Sequence, residues 1–198
     1  MLSVRHCLII CEVRYMKELS LNILDITENS LKAGSPFTEI LLEETDSELT
    51  ITIIDKGCGM KTEMLSRVTD PFCTSRTTRK VGLGIPFFKM QAEQTGGSFY
   101  IESRHIEEYP ENSGTLVRAV FNKNHIDYTP LGEIVETVVT LIQGHPEADF
   151  YFSHKKGEGE VLLDTREVRE QLGNEIPLNT IEVLCFIRDY LNEQYINL

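Results

Sequence analysis

The stretch NILDITENSLKAGS, Asn22 to Ser35, decides how the rest of the chain is read. Its spacing predicts a helix, with apolar Ile23, Leu24, Ile26 and Leu31 mostly on one side. Asp25 and Asn29 stand four residues apart, so a helix stacks them on one face. A carboxylate one turn before a carboxamide presents a base and an oxygen ligand for a metal together. Taken alone, the stretch also reads as an ordinary amphipathic helix with two solvated polar residues. Three later stretches bear on that choice.

Gly34 and Pro36 break the helix. Phe37 to Glu44 and Glu48 to Ile54 then alternate apolar and polar residues around Asp46-Ser47, the pattern of a hairpin. The second strand runs into Asp55-Lys56-Gly57-Cys58-Gly59-Met60, where two glycines let the backbone turn sharply and approach a ligand closely. At the strand end, Asp55 is placed to accept a hydrogen bond from an exocyclic amine. After a short helix, Thr62 to Val68, comes a polar, hydroxyl-rich loop from Asp70 to Gly84 that holds Arg76, Arg79 and Lys80. Its glycines, Gly82 and Gly84, open a helix from Ile85 to Gln94, a ready anion site because free N–H groups and the helix dipole favour negative charge. The alternative is a solvated flexible loop. Gly96-Gly97 ends the helix, Ser98 to Ser103 reads as a strand, and Ser113-Gly114-Thr115 begins another from Leu116 to Phe121.

The length of 198 residues allows one domain, or one domain with a sizeable appendage. Apolar content of 41% and charged content of 25% are those of a soluble globular protein. A net charge of −12 argues against a nucleic-acid-binding face. The five cysteines, odd in number and without CxxC pairing, fit a reducing, cytoplasmic setting. No apolar run approaches the roughly 20 residues that span a bilayer. The apolar patch Cys7 to Cys11 lacks the small-residue cleavage site of a signal peptide. Met16 is a natural start for the organising helix, and residues 1–15 read either as an upstream extension or as a swapped strand.

In order and spacing, ENSLKAG, DKGCGM, DPFCTSRTTRKVGLGI, QTGGSFYIES and SGT resemble the GHKL ATPase superfamily, which contains histidine kinases, DNA gyrase B, MutL and the ninety-kilodalton heat-shock chaperone. The resemblance covers about Met16 to Asn122. The segment Asp70 to Gly97 is most similar to bacterial histidine kinases, and ENSLKAG to MutL. It implies an α/β sandwich (the Bergerat fold), a mixed, mainly antiparallel sheet with helices on one face, holding ATP and Mg2+ on the helical side. By motif, Asn29 would ligate Mg2+. Asp55 would bind the adenine amine, in a pocket shaped by Gly57, Gly59 and Met60. Thr74 to Val81, with Thr77, Thr78, Arg79 and Lys80, would form the lid, and Gly82, Leu83 and Gly84 would meet the phosphates. Thr115 would support Asp55 or a water at the adenine.

Two departures matter. The hydrolysing members of that superfamily, and its anti-sigma-factor serine kinases, usually place a Glu four residues before the metal Asn. Here that position holds Asp25, a base with shorter reach. Glu28 points about 100° away on a helix and is the poorer base. Also, no helix carries a phosphoacceptor His followed by an acidic residue: His6 lies close to the start, His105 near a turn, and His125, His145 and His154 after the core.

Residues 123–198 carry six Lys and Arg against fourteen Asp and Glu. They predict a helix over Leu131 to Gln143 and a hairpin from Phe150 to Leu163 turning at Lys155-Lys156-Gly157. Two further helices follow, Arg166 to Leu172 capped by Asp164-Thr165 and Ile181 to Tyr195 capped by Asn179-Thr180. This small α+β appendage is expected to make a protein-partner or homodimer contact, by elimination. Cys58 and Cys73 read as small hydrophobes rather than a redox switch, and His145 and His154 lack the companion ligands of a structural zinc. Two functional classes remain: an Mg·ATP-dependent enzyme with Asp25 as base, acting as an ATPase or as a kinase on a separate protein, or a nucleotide-sensing module with negligible turnover.

Overall fold

The structure is a computed structural model and describes residues 18–69, 84–173 and 176–198. The chain opens with α1 (Leu19–Lys32), the hairpin β1 (Phe37–Glu44) and β2 (Glu48–Asp55), and α2 (Thr62–Val68). Then come α3 (Gly84–Gln94), β3 (Ser98–Arg104), β4 (Gly114–Asn122) and α4 (Ile134–Gly144). The last third adds β5 (Asp149–Lys156), β6 (Gly159–Asp164), α5 (Thr165–Leu172) and α6 (Ile181–Tyr195). The extension 1–15 and the lid residues Thr77, Thr78, Arg79, Lys80, Gly82 and Leu83 lie outside the described residues.

The strands form one mixed sheet in the order β3-β4-β2-β1-β5-β6. Every pairing is antiparallel except β1 with β5. Alternation in the β1–β2 hairpin does what its period demands: Ile40 faces Ile53 and Leu42 faces Ile51 across the ladder, and all four are buried. Helices α1, α3 and α4 cover that face, where Phe88 of α3 and Phe121 of β4 meet with ring centroids 5.3 Å apart. Gly97 lets α3 close onto this strand, since a Cβ there would collide with the Val120 carbonyl.

The C-terminal third continues the same sheet and core. β5 lies alongside β1 from Phe37–Asp149 to Glu44–Lys156. Phe150, Phe152, Val161 and Leu163 join one apolar cluster with Leu19, Ile23 and Ile40. The segment before α4 also closes the start of α1: Leu19 N–H donates to Pro130 O at 2.9 Å, and Ser20 N–H to Leu131 O at 2.8 Å. These bonds satisfy amides that a helix start leaves without partners. At its other end α1 stops at Gly34, with φ +78°, and Pro36.

Two local details differ from the sequence reading. The buried stripe of α1 holds Leu19, Ile23 and Ile26 together with Ser20, Asn22, Thr27 and Ser30, while Leu24 and Leu31 are only half-buried. Apolar periodicity does not register a helix that buries hydroxyls. Asp164 caps α5 through the Arg166 amide at 3.0 Å, whereas Thr180 occupies the N-cap position of α6 without a side-chain capping bond.

Candidate functional site

The polar residues singled out on α1 and on the loop after β2 converge at one end of the sheet. Asp55 ends β2 and is 7% exposed. Its Oδ1 accepts from Gly57 N–H at 2.9 Å and Thr115 N–H at 3.1 Å, and its Oδ2 accepts from Ser30 Oγ at 2.8 Å. A carboxylate has about four lone-pair positions, so three donors lock its orientation and leave one acceptor position for a ligand. These donors offset the desolvation penalty that a buried carboxylate otherwise carries.

The loop from Lys56 to Met60 is clamped on both sides. Cys58 N–H donates to Ala33 O at the end of α1, and Ile106 N–H donates back to Cys58 O, each at 2.9 Å. Met60 N–H donates to Ser103 Oγ at 2.7 Å, and Ser103 Oγ lies 2.9 Å from Thr115 Oγ1. Gly57 packs against Ala33 with space only for hydrogen. Gly59 has φ +65°, and a Cβ there would collide with the Arg104 carbonyl. Both glycines therefore serve the close packing of loop against helix and strand. Met60 is half-buried against the core.

On α1, Asp25 and Asn29 are half-buried one turn apart. Asp25 accepts the Gly84 N–H at the start of α3, and a Cβ on Gly84 would strike its carboxylate. Burial pushes the Asp25 carboxyl above its ordinary range. The Glu28 charge adds to the rise, while Lys32 and the Gly84 amide oppose it. Glu28 is engaged elsewhere: Oε1 lies 2.9 Å from His145 Nε2, and Oε2 lies 3.3 Å from Lys32 Nζ. Burial favours its proton, but these two partners hold it below the usual carboxylate range.

The structure thus brings together Asp25, Asn29 and Gly84 on one side and Asp55, Gly57, Gly59, Met60 and Thr115 on the other, with α1 connecting them. The residues fit a purine base and a polyphosphate with a hard cation. Asp55 has a spare acceptor for an amine, Asn29 and Asp25 offer oxygens of the type Mg2+ prefers, and Gly84 opens a helix whose N-terminus favours anions. Among the described residues no group of three His, Cys, Asp or Glu side chains is gathered for a metal, so a cation here would depend on phosphate oxygens and Asn29. Sequence reasoning overlooked Ser30, Ser35 and Ser103. Ser35 Oγ accepts from Lys56 N–H at 2.9 Å, fixing the residue after Asp55. A signal existed only for Ser30, a hydroxyl in register with buried Ile23 and Ile26.

Residues 14–125 match the family model described as histidine kinase-, DNA gyrase B-, and HSP90-like ATPase. Sporulation kinase D of Bacillus subtilis (strain 168) is 32% identical over 102 residues, covering 52% of this chain and 20% of that protein. Sensor histidine kinase CitA of Klebsiella pneumoniae is 33% identical over 85 residues, covering 41% of this chain and 16% of that one. The chain therefore spans a fifth or less of the length of either kinase. Among solved structures, the N-terminal domain of a DNA repair protein superposes with a TM-score of 0.53 at 14% identity, over 74% of this chain and 52% of that one, a likeness of fold. Among the described residues no helix is long and apolar enough to cross a membrane.

Proposed function

Because the chain belongs to the histidine kinase-, DNA gyrase B- and HSP90-like ATPase family, we propose that it is an Mg·ATP-binding regulatory module acting on a separate protein. The observation that carries this reading is the Asp55 carboxylate, oriented from behind by Ser30, Gly57 and Thr115 with one acceptor position left over. That acceptor takes the adenine amine. Asn29 holds Mg2+, which neutralises phosphate charge when bound. Asp25 is the base, taking a proton from a water or a protein hydroxyl, with its raised pKa moving it toward working pH. The lid residues Thr77, Thr78, Arg79 and Lys80, with Gly82, Leu83 and Gly84, close over the phosphates. The C-terminal third receives the partner.

A specific observation favours the second reading, nucleotide sensing with negligible turnover. Asp25 is bound to the Gly84 amide, so the base is engaged in holding α3 and is one methylene shorter than Glu. Calorimetric titration of ATP with and without Mg2+, on wild type and Asn29→Ala, tests the common claim. Affinity that needs both Mg2+ and Asn29 is expected, with a loss of about tenfold or more in the variant. Absence of ATP binding overturns the reading. ADP release measured on the same samples then separates the two: turnover abolished by Asp25→Asn marks an enzyme, and binding without ADP marks a sensor.

A further inference from the structure

Among the described residues, the outer surface of α6 carries an exposed aromatic stripe. Phe186 is 57% and Tyr190 41% exposed, and their rings stack with centroids 6.0 Å apart and an interplanar angle of 16°. Ile181 and Ile196, at the two ends of the helix, are also exposed. Single exposed apolar residues are ordinary, but two stacked aromatic rings one turn apart on an exposed helix face mark a contact surface. Glu182, Phe186, Tyr190 and Glu193 follow one ridge at helical spacing, and Asp189 stands beside it, all exposed. After Arg169 the chain has a single cation, Arg188. Its guanidinium is engaged by Glu136 of α4, at 2.6 Å and 3.0 Å. The stripe is thus apolar in the middle and acidic at its two ends and along one side.

We infer that α6 docks a cationic amphipathic segment of another protein, a helix whose apolar face covers Phe186 and Tyr190 and whose Lys or Arg side chains meet Glu182, Asp189 and Glu193. Charge decides between this occupant and a second copy. In a two-fold antiparallel pairing of α6 with itself, Phe186 would meet the partner copy's Tyr190, and Glu182 would lie against the partner copy's Glu193, so like charges would oppose at both ends. A cationic segment reverses both contacts into attraction and gains cation–π contact with the exposed ring faces. Aromatic anchors inside a charged rim are the arrangement of helix recognition, with apolar anchors at one-turn intervals. The inference rests on the reading that the C-terminal third receives the partner, and it names the helix and the chemistry.

The test uses the full chain and two fluorescent synthetic peptides of about 18 residues, long enough to form a helix. One carries Leu on one helical face and Lys on the other, and its twin has Glu in place of Lys. The Lys peptide is expected to bind at least about tenfold more tightly than the Glu peptide, with affinity falling as salt rises. The pair Phe186→Ser with Tyr190→Ser keeps the net charge and is expected to weaken Lys-peptide binding at least about tenfold. Glu182→Lys with Asp189→Lys is expected to weaken it more than Glu108→Lys with Glu111→Lys, a control of equal charge on the β3–β4 connection. ATP titration on the α6 variants is expected to be unchanged, so a failed docking surface and a failed nucleotide site give different results. The inference is overturned if the Lys peptide does not bind, if the serine pair binds as wild type does, or if the distal reversals cost as much as those on α6. It is also overturned if sedimentation shows a dimer that the serine pair dissolves, which would make the occupant a second copy.

Discussion

Two buried polar clusters sit at opposite ends of the β1–β2 hairpin and are built on different plans. At the Asp55 end, a carboxylate is held by two backbone amides and one hydroxyl, and its acceptor capacity is incompletely used. At the other end, every main member is matched by a side chain. His154 is 3% exposed, with Nδ1 2.8 Å from Tyr195 Oη and Nε2 3.1 Å from Glu44 Oε2. Glu44 Oε1 in turn accepts from Lys123 Nζ at 2.6 Å. The closed cluster links β1 and the end of β4 to the C-terminal third, through β5 and α6. The buried imidazole, with both ring nitrogens matched, holds elements together, whereas the buried Asp55 carboxylate keeps an acceptor position that a ligand's donor can fill.

The contrast is broken most severely at the closed end. His154→Ala leaves the Tyr195 hydroxyl and one Glu44 oxygen without their partner, so a loss of about 2–3 kcal/mol in unfolding free energy is expected, read by urea denaturation, with ATP affinity unchanged. The same cluster carries a pH signature. Burial lowers the His154 pKa below its ordinary 6.5, against the pull of Glu44. The unfolded chain then binds the proton more readily, so this contribution is full above 6.5 and is lost as pH falls below it toward the depressed folded value. Unfolding free energy measured from neutral to mildly acidic pH should fall more steeply in wild type than in His154→Asn, and equal slopes would remove His154 from the account.

At the open end the effects are smaller and pass to the ligand. Ser30→Ala removes the hydroxyl that donates to Asp55 Oδ2. It is expected to cost about 1 kcal/mol of stability and to weaken ATP about fivefold, because the carboxylate loses its fixed orientation; unchanged ATP affinity would show that the two amides suffice. Smallest of all is the exposed Arg188–Glu136 pair. Arg188→Ala should leave the same denaturation midpoint nearly unchanged, as expected of a solvent-screened surface pair, and a clear drop would mean that α4 and α6 depend on it.

How much of this was legible depended on the distance over which each contact acts. The bounds of β1, Phe37 to Glu44, follow from alternation, and those of α2, Thr62 to Val68, from the glycine turn before it and the polar loop after it. So do the hairpin of β5 and β6 and the span of α6. The parallel pairing of β5 with β1 leaves no local mark, because it joins residues more than a hundred apart and is decided by packing. Similarly, Asp55 was visible as an acidic residue before a glycine turn, whereas its orienter Ser30 lies 25 residues away on another element. The buried hydroxyls of α1 hid the helix face that its apolar residues only partly describe.

The central claim is that Asp55 reads an exocyclic amine, and the most direct measurement compares ATP with inosine triphosphate, which lacks that amine, on wild type and Asp55→Asn. Wild type should prefer ATP by about tenfold to a hundredfold, the worth of a hydrogen bond to a charged group, and the variant should lose most of that preference. Equal affinity of wild type for the two nucleotides would contradict the account.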